Sequence, residues 1–291
     1  MSVSADLVKQ LRERTGSGMM ECKKALVEAE GDLEAAADIM RKKGLAKADK
    51  KADRVAADGR VAMARAAEGK AGVLVEVNSE TDFVANGDEF RRFADSVAGH
   101  ALRAGADDLD TLLACEIDGK PIDTLRQEMI AQLGENIEIR RLVRYADDKL
   151  VAQYAHGARI GVMVELDGGD EELGRDLAMH IAASSPICIS EVDVPPDRLA
   201  SEKEVLEAQA RESGKPEEII QKMVDGRLQK HLSEITLLGQ PFVKDPDQSV
   251  GDLLKARGVQ VTRFTRFEVG EGKEKEETSF ADEVMAQVRD S

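Results

Sequence analysis

One strand-and-helix pattern occurs twice in this chain of 291 residues, and it limits the fold more than any other feature. In the first copy, residues 61–67 and 72–77 flank a Glu68-Gly69 turn, and Phe90, Phe93, Ala94, Val97 and Ala98 follow at helical spacing. In the second, residues 150–154 and 160–166 flank His156-Gly157, and Leu173, Leu177, Ala178, Ile181 and Ala182 follow. Short β-branched runs bounded by turn residues mark hairpins, and apolar spacing of three and four marks a helix packed on one face. Matching Gly72-Val-Leu-Val-Glu-Val to Gly161-Val-Met-Val-Glu-Leu gives an offset of 89, whereas matching Phe93-Ala94 to Leu177-Ala178 gives 84. The strand-to-helix connection is therefore five residues longer in the first copy. Two related α+β halves are expected, with residues 79–86 as material that the second half folds without.

A segment the fold can omit is a better candidate for function than one it requires. This segment holds Asp82 beside Phe83, in a chain with seven Phe, two Tyr and no Trp. The other phenylalanines mostly lie in periodic or strand-like surroundings. Two readings stand side by side. A loop Phe commonly tucks into its own core, and an Asp commonly forms a turn or caps the next helix. Alternatively, the pair is the working part, and the rest of the chain holds it and grips a partner.

Elsewhere the chain reads as helices around these halves. Residues 4–43 form three short helices: Ser4 caps the first, Thr15-Gly16-Ser17-Gly18 breaks it, Gly31 ends the second, and Asp32 caps a third that closes at Gly44. Residues 47–54 are an Ala- and Lys-rich linker, helical or flexible. Residues 109–114 and 121–133 are helical, and 137–145 is a strand. After Pro195-Pro196, residues 197–212 and 217–232 form a charge-rich helical hairpin with apolar seams, which reads as a projecting arm. Residues 250–256 are a short helix and 259–269 a strand. Gly270 and Gly272 then hinge a last amphipathic helix in which Phe280, Val284, Met285 and Val288 share a face.

Lys and Arg number 41 against 57 Asp and Glu, a formal charge of −16. Phosphate backbones are bound by clustered cations, so nucleic acid is not the expected direct partner. No apolar run approaches the roughly 20 residues of a membrane helix, and no signal or transit pattern opens the chain. Three distant cysteines, Cys22, Cys115 and Cys188, suit reduced thiols. A soluble cytoplasmic protein of bacterial type, without membrane partners, is expected.

No phosphate-cradling glycine motif, metal-ligand spacing or nucleophile signature is present, so no catalytic residue, metal or cofactor is assigned. Enzyme, through a carboxylate pair without a signature, is the weaker reading. A protein-binding or holdase-like chaperone module, with the N-terminal helices and the acidic arm as its surface, is another reading. Met19 and Met20 either fill a core or present an adaptable contact surface at a helix start. His156 is by default a solvated turn residue, and His180 a satisfied core or surface histidine.

Several stretches nevertheless match one family along nearly the whole length: LRERTGSGMMECKKAL at 11–26, EVNSETDFVA at 76–85, GENIEIR at 134–140, HGARIGV at 156–162, GQPFV at 239–243 and RFEVGEG at 266–272. The chain resembles the translation elongation factor Ts family, guanine-nucleotide exchange factors of elongation factor Tu. The resemblance implies an α+β fold with a ubiquitin-associated-like N-terminal three-helix module, a two-part core with an inserted antiparallel helical hairpin, and a detachable C-terminal helical module. It implies that Thr81, Asp82, Phe83 and Val84 displace magnesium from the partner, which is met both GDP-bound and nucleotide-free. It also implies that Met19 and Met20 touch the partner's nucleotide domain, that His156 reaches a second domain, and that the terminal helix meets the nucleotide domain again. The hairpin self-associates in some members. Ser79 and the Asn86-Gly87-Asp88-Glu89 stretch vary within the family and leave the Asp-Phe pair intact. The expected division is 1–54 (helical module and linker), 55–145 (first core part), 146–196 and 233–269 (second core part), 197–232 (hairpin) and 270–291 (C-terminal module).

Overall fold

The computed structural model describes residues 3–15 and 17–273. Its elements, in order, are α1 (Ala5–Thr15), α2 (Met19–Glu28), α3 (Leu33–Asp49), β1 (Asp58–Arg65), β2 (Ala71–Ser79), α4 (Asp82–Ala85), α5 (Asp88–Ala104), α6 (Leu109–Ala114), β3 (Glu116–Ile117), β4 (Lys120–Pro121), α7 (Ile122–Leu133) and β5 (Ile137–Ala146). There follow β6 (Leu150–His156), β7 (Ile160–Asp167), α8 (Glu171–Ser184), a 3₁₀ turn (Glu191–Asp193), α9 (Pro196–Arg211), α10 (Glu217–Ile235), β8 (Pro241–Phe242), β9 (Asp245–Ser249), α11 (Val250–Arg257) and β10 (Gln260–Glu268). This mixture of helices and antiparallel pairs is an α+β fold. The expected terminal helix, with Phe280, Val284, Met285 and Val288, lies outside the described residues. Two compact units divide the described chain: residues 3–62, 75–142 and 268–273 form one, and residues 63–74 and 143–267 the other.

In the first unit, capping sets the helix boundaries. The Ser4 hydroxyl accepts the Leu7 amide, and Asp32 Oδ1 accepts the Glu34 and Ala35 amides. Gly31, at φ +91°, donates to the Leu26 carbonyl and closes α2. Val8, Leu11, Cys22, Ala25, Leu26 and Ala36 make the small core of these three helices. The end of the third helix differs from the sequence reading: α3 runs through Gly44 to Asp49. Glycine weakens a helix interior, yet here a Cβ would stand 3.1 Å from the Ala131 Cβ on α7. Close helix packing, rather than termination, accounts for that residue. Gly134, at φ +79° after α7, is by contrast a glycine that does end its helix. Gly134→Ala is expected to cost about 1–2 kcal/mol, the penalty of a Cβ in left-handed backbone, measured by urea unfolding.

The sheets are ordered β1-β2-β5 and β10-β7-β6. In each, the second strand of a hairpin is central, and the third strand joins it after a helix and an insert. The insert is α6 to α7 in the first case and α9 to α11 in the second. Residues 80–87 connect β2 to α5, whereas 168–170 connect β7 to α8, which is the five-residue difference seen as shifted offsets. At the 89-residue offset Glu76 corresponds to Glu165, and both are buried on their central strands. Glu76 is bonded by Arg140, Arg141, Asn78 and the Gly270 amide. Glu165 receives Arg263 through two nitrogens and the Thr262 hydroxyl. Each third strand thus supplies the guanidinium that makes its sheet's buried carboxylate tolerable.

The second unit is built on Val162, Val164, Leu166, Leu177, Ile181 and Leu237. Register is set by β6 and β7, with Leu150 opposite Leu166 and His156 opposite Ile160. Helices α9 and α10 pack through Leu206, Ala210, Ile220 and Val224, with Leu228 beside them. His180 is a satisfied core residue: Nε2 donates to Gln240 Oε1 and Nδ1 accepts the Val243 amide. Burial holds its pKa below the ordinary histidine value, and that neutral tautomer pins the 240–243 return to α8.

Candidate functional site

Residues 80–87 are a braced turn rather than a loose loop. Strand β2 ends buried at Ser79, whose hydroxyl donates to the Thr81 carbonyl at 3.0 Å. The Thr81 hydroxyl accepts the Val84 amide at 3.4 Å and so caps α4. The same hydroxyl donates to Glu135 Oε1 at 2.6 Å, while the Thr81 amide donates to Glu135 Oε2 at 3.0 Å. One residue back, Glu80 Oε1 accepts the Asn136 amide at 2.6 Å. Asn86 and Gly87 return their amides to the Asp82 and Val84 carbonyls, and Gly87 is the N-cap of α5.

Val84 and Ala85 are buried and anchor the turn, leaving Asp82 and Phe83 outside. Phe83 is 87% exposed, the largest exposure of any aromatic among the described residues. The tucked-in alternative is therefore not what the fold adopts: the anchoring falls to the two residues after Phe83, and the capping to Thr81. A one-turn helix cannot hold itself. Besides the buried pair, the turn is bonded to Glu135 and Asn136, which periodicity gave no reason to associate with positions 80 and 81.

Met19 and Met20 open α2 behind Gly18 and are 60% and 66% exposed, while Cys22, Ala25 and Leu26 take the core face. Core filling is thus excluded for both. His156 ends β6 as an exposed residue before Gly157, at φ +61°, with the Tyr154 hydroxyl 3.4 Å from its Nδ1. The methionines and the 81–84 turn belong to the first unit and His156 to the second.

A groove of about 680 Å³ in the first unit is lined by Arg14, Arg41 and Lys120, each paired with an acid: Glu34, Asp38 and Glu128 respectively. Among the described residues, no group of three or more His, Cys, Asp or Glu could hold a metal ion. No described helix is long and apolar enough to cross a membrane.

Fold and site together define an α+β protein that offers an acid and an aromatic outward on a braced turn. The family model described as "Elongation factor TS" matches residues 80–271. Elongation factor Ts of Halorhodospira halophila is 79% identical over 291 residues, covering all of both chains. Those of Alkalilimnicola ehrlichii and Methylococcus capsulatus are 64% and 61% identical, again over the full length of both. The chain belongs to the elongation factor Ts family, and its place is in protein biosynthesis.

Proposed function

We propose that this protein binds elongation factor Tu–GDP in the cytoplasm, displaces the magnesium ion and so promotes GDP release and GTP loading. The supporting observation is the exposed Phe83 on a turn fixed by its own subunit, in a member of this family. A GTPase holds GDP through backbone donors around the β-phosphate and through Mg²⁺. Phe83 wedges beside the metal and shifts a partner element, while Asp82 disturbs the polar network orienting the metal's water shell. Thr81 and Val84 hold that pair in place. With the metal gone, phosphate charge is less compensated and GDP leaves faster.

Each tenfold gain in release rate needs about 1.4 kcal/mol, so a thousandfold acceleration needs only about 4 kcal/mol of relative destabilisation. Binding coupling is reciprocal: the factor weakens nucleotide, and nucleotide weakens the factor by the same ratio. GTP therefore drives the factor off and completes the cycle. Nothing in this chain is consumed, so the protein acts without catalytic acid or base and without a cofactor of its own.

Met19 and Met20 contact the partner's nucleotide domain, and His156 with its hairpin reaches a second domain. Exposure of all three supports these roles. Helices α9 and α10 serve as a self-association arm, a reading supported by Val205 and Ile219 standing exposed on them. Release of fluorescent GDP from elongation factor Tu, followed by stopped flow, tests the central reading. Wild type is expected to raise the rate by about a thousandfold at saturation. Complex formation without acceleration would instead identify a binding or chaperone-like module.

A further inference from the structure

We propose that Glu135 is a positioning residue for the Asp82–Phe83 turn, setting its orientation through Thr81. The functional consequence rests on the exchange reading above; the clamp itself does not. Glu135 lies 54 positions from Thr81, yet its two carboxylate oxygens are divided between the Thr81 hydroxyl and the Thr81 amide, at 2.6 and 3.0 Å. A hydroxyl has one proton and two lone pairs. Giving the proton to Glu135 Oε1 turns a lone pair to the Val84 amide, so the carboxylate also fixes the cap of α4. Hydrogen bonds to an ionised acceptor are the stronger kind.

The neighbouring pair runs the opposite way. Glu80 accepts the Asn136 amide at 2.6 Å, so two adjacent residues on each segment are joined side chain to backbone in both directions. Asn136 is only 4% exposed, and its Nδ2 donates to the Ala52 and Arg54 carbonyls at 3.3 and 2.8 Å. The foot of the clamp is therefore itself anchored. At the other end Phe83, largely in solvent, has almost no packing of its own. A four-residue helix lacks the length to resist rotation or fraying. Besides the buried Val84 and Ala85, the stem orients the exposed pair, and of its two carboxylates Glu135 is the one bonded to Thr81.

The test compares wild type, Glu135→Gln, Glu135→Ala, Phe83→Ala and the double variant Glu135→Ala/Phe83→Ala in fluorescent-GDP release from elongation factor Tu, with hydrogen exchange on each factor alone. Glu135→Ala is expected to lower the saturating release rate about tenfold while the half-saturating concentration moves less than about threefold. Glu135→Gln, which keeps one acceptor oxygen, falls between. In the Phe83→Ala background the same truncation changes the rate less than about threefold, because only the part of its effect that travels through Asp82 remains. The Val84, Ala85 and Asn86 amides of Glu135→Ala exchange about tenfold faster while those of β2 keep their protection. Equal rate losses in both backgrounds, or unchanged exchange in the 84–86 amides, overturn the proposal. Should wild type itself fail to accelerate GDP release, the exchange reading falls alone, and the amide protection still decides the clamp.

Discussion

Phe83→Ala is expected to lower the maximal rate of factor-promoted GDP release by about a hundredfold, equivalent to about 3 kcal/mol. The side chain is 87% exposed, so its truncation leaves the free protein's melting temperature within about a degree. The loss appears only when the ring is desolvated against the partner, where truncating a buried aromatic anchor commonly costs about 2–4 kcal/mol. A wedge acts in the transition state for release, so the maximal rate falls while the half-saturating concentration changes little. Asp82→Ala is expected to cost about tenfold, less than the ring because a water molecule can replace part of its polar action. The two substitutions combined should fall short of the product of their separate effects, since both side chains leave the same one-turn helix. If Phe83→Ala raises the half-saturating concentration and leaves the maximal rate intact, Phe83 is a uniform binding anchor and the wedge is wrong. Normal exchange by both variants would remove the pair from the mechanism altogether.

Those residues were legible because the fold is written twice. Two hairpin-and-helix signals with unequal offsets isolated residues 79–86, and the structure places the extra length between β2 and α5. Period and capping likewise located most helices, since Ser4, Asp32 and Gly31 act within one turn of their own position. Local signals stop there. Gly44 reads as a stop in sequence and is a close-packing residue in space, because its neighbour Ala131 is remote in the chain. The two-residue strands β3, β4 and β8 are too short to leave a periodicity. Whether Phe83 turns inward or outward could not be read from composition, since it depends on which neighbour, Val84 or Phe83, fills the pocket below. The Glu135 clamp was hidden for the same reason. Its residues lie in a motif that family resemblance marks, but their hydrogen bonds to Glu80 and Thr81 span more than fifty positions. Glu76 and Glu165 stood in the matched segments as equivalent letters, and only pairing with β5 and β10 reveals why a carboxylate belongs on a buried strand face.

The stability of the first unit should depend on that carboxylate. Glu76 is fully buried and brings together Arg140 and Arg141 of β5, Asn78 of β2 and the Gly270 amide. Glu76→Ala removes the anion and leaves these donors facing one another. Breaking a buried pair costs about 3–5 kcal/mol, and about 3 is expected here because both guanidiniums keep part of their surface in water. That corresponds to a fall in melting temperature of about 6–12 °C. Glu165→Ala should cost less, since Arg263 is more exposed than either Arg140 or Arg141. The pH dependence carries its own sign. Burial raises the Glu76 pKa, but the Gly270 amide, Arg141 and Asn78 outweigh it, and the folded value lies below the ordinary 4.5. The unfolded chain then binds the proton more readily than the folded one, so the Glu76 contribution is complete above pH 4.5 and is lost as pH falls through the lower folded value. Thermal melts of wild type and Glu76→Gln between pH 7 and 3 check this: the wild-type curve steepens below pH 4.5, and the variant, lower throughout, lacks that part of the slope. Parallel curves would mean that Glu76 titrates alike in both states, and that the bonds from Gly270, Arg141 and Asn78 do not favour its charged form.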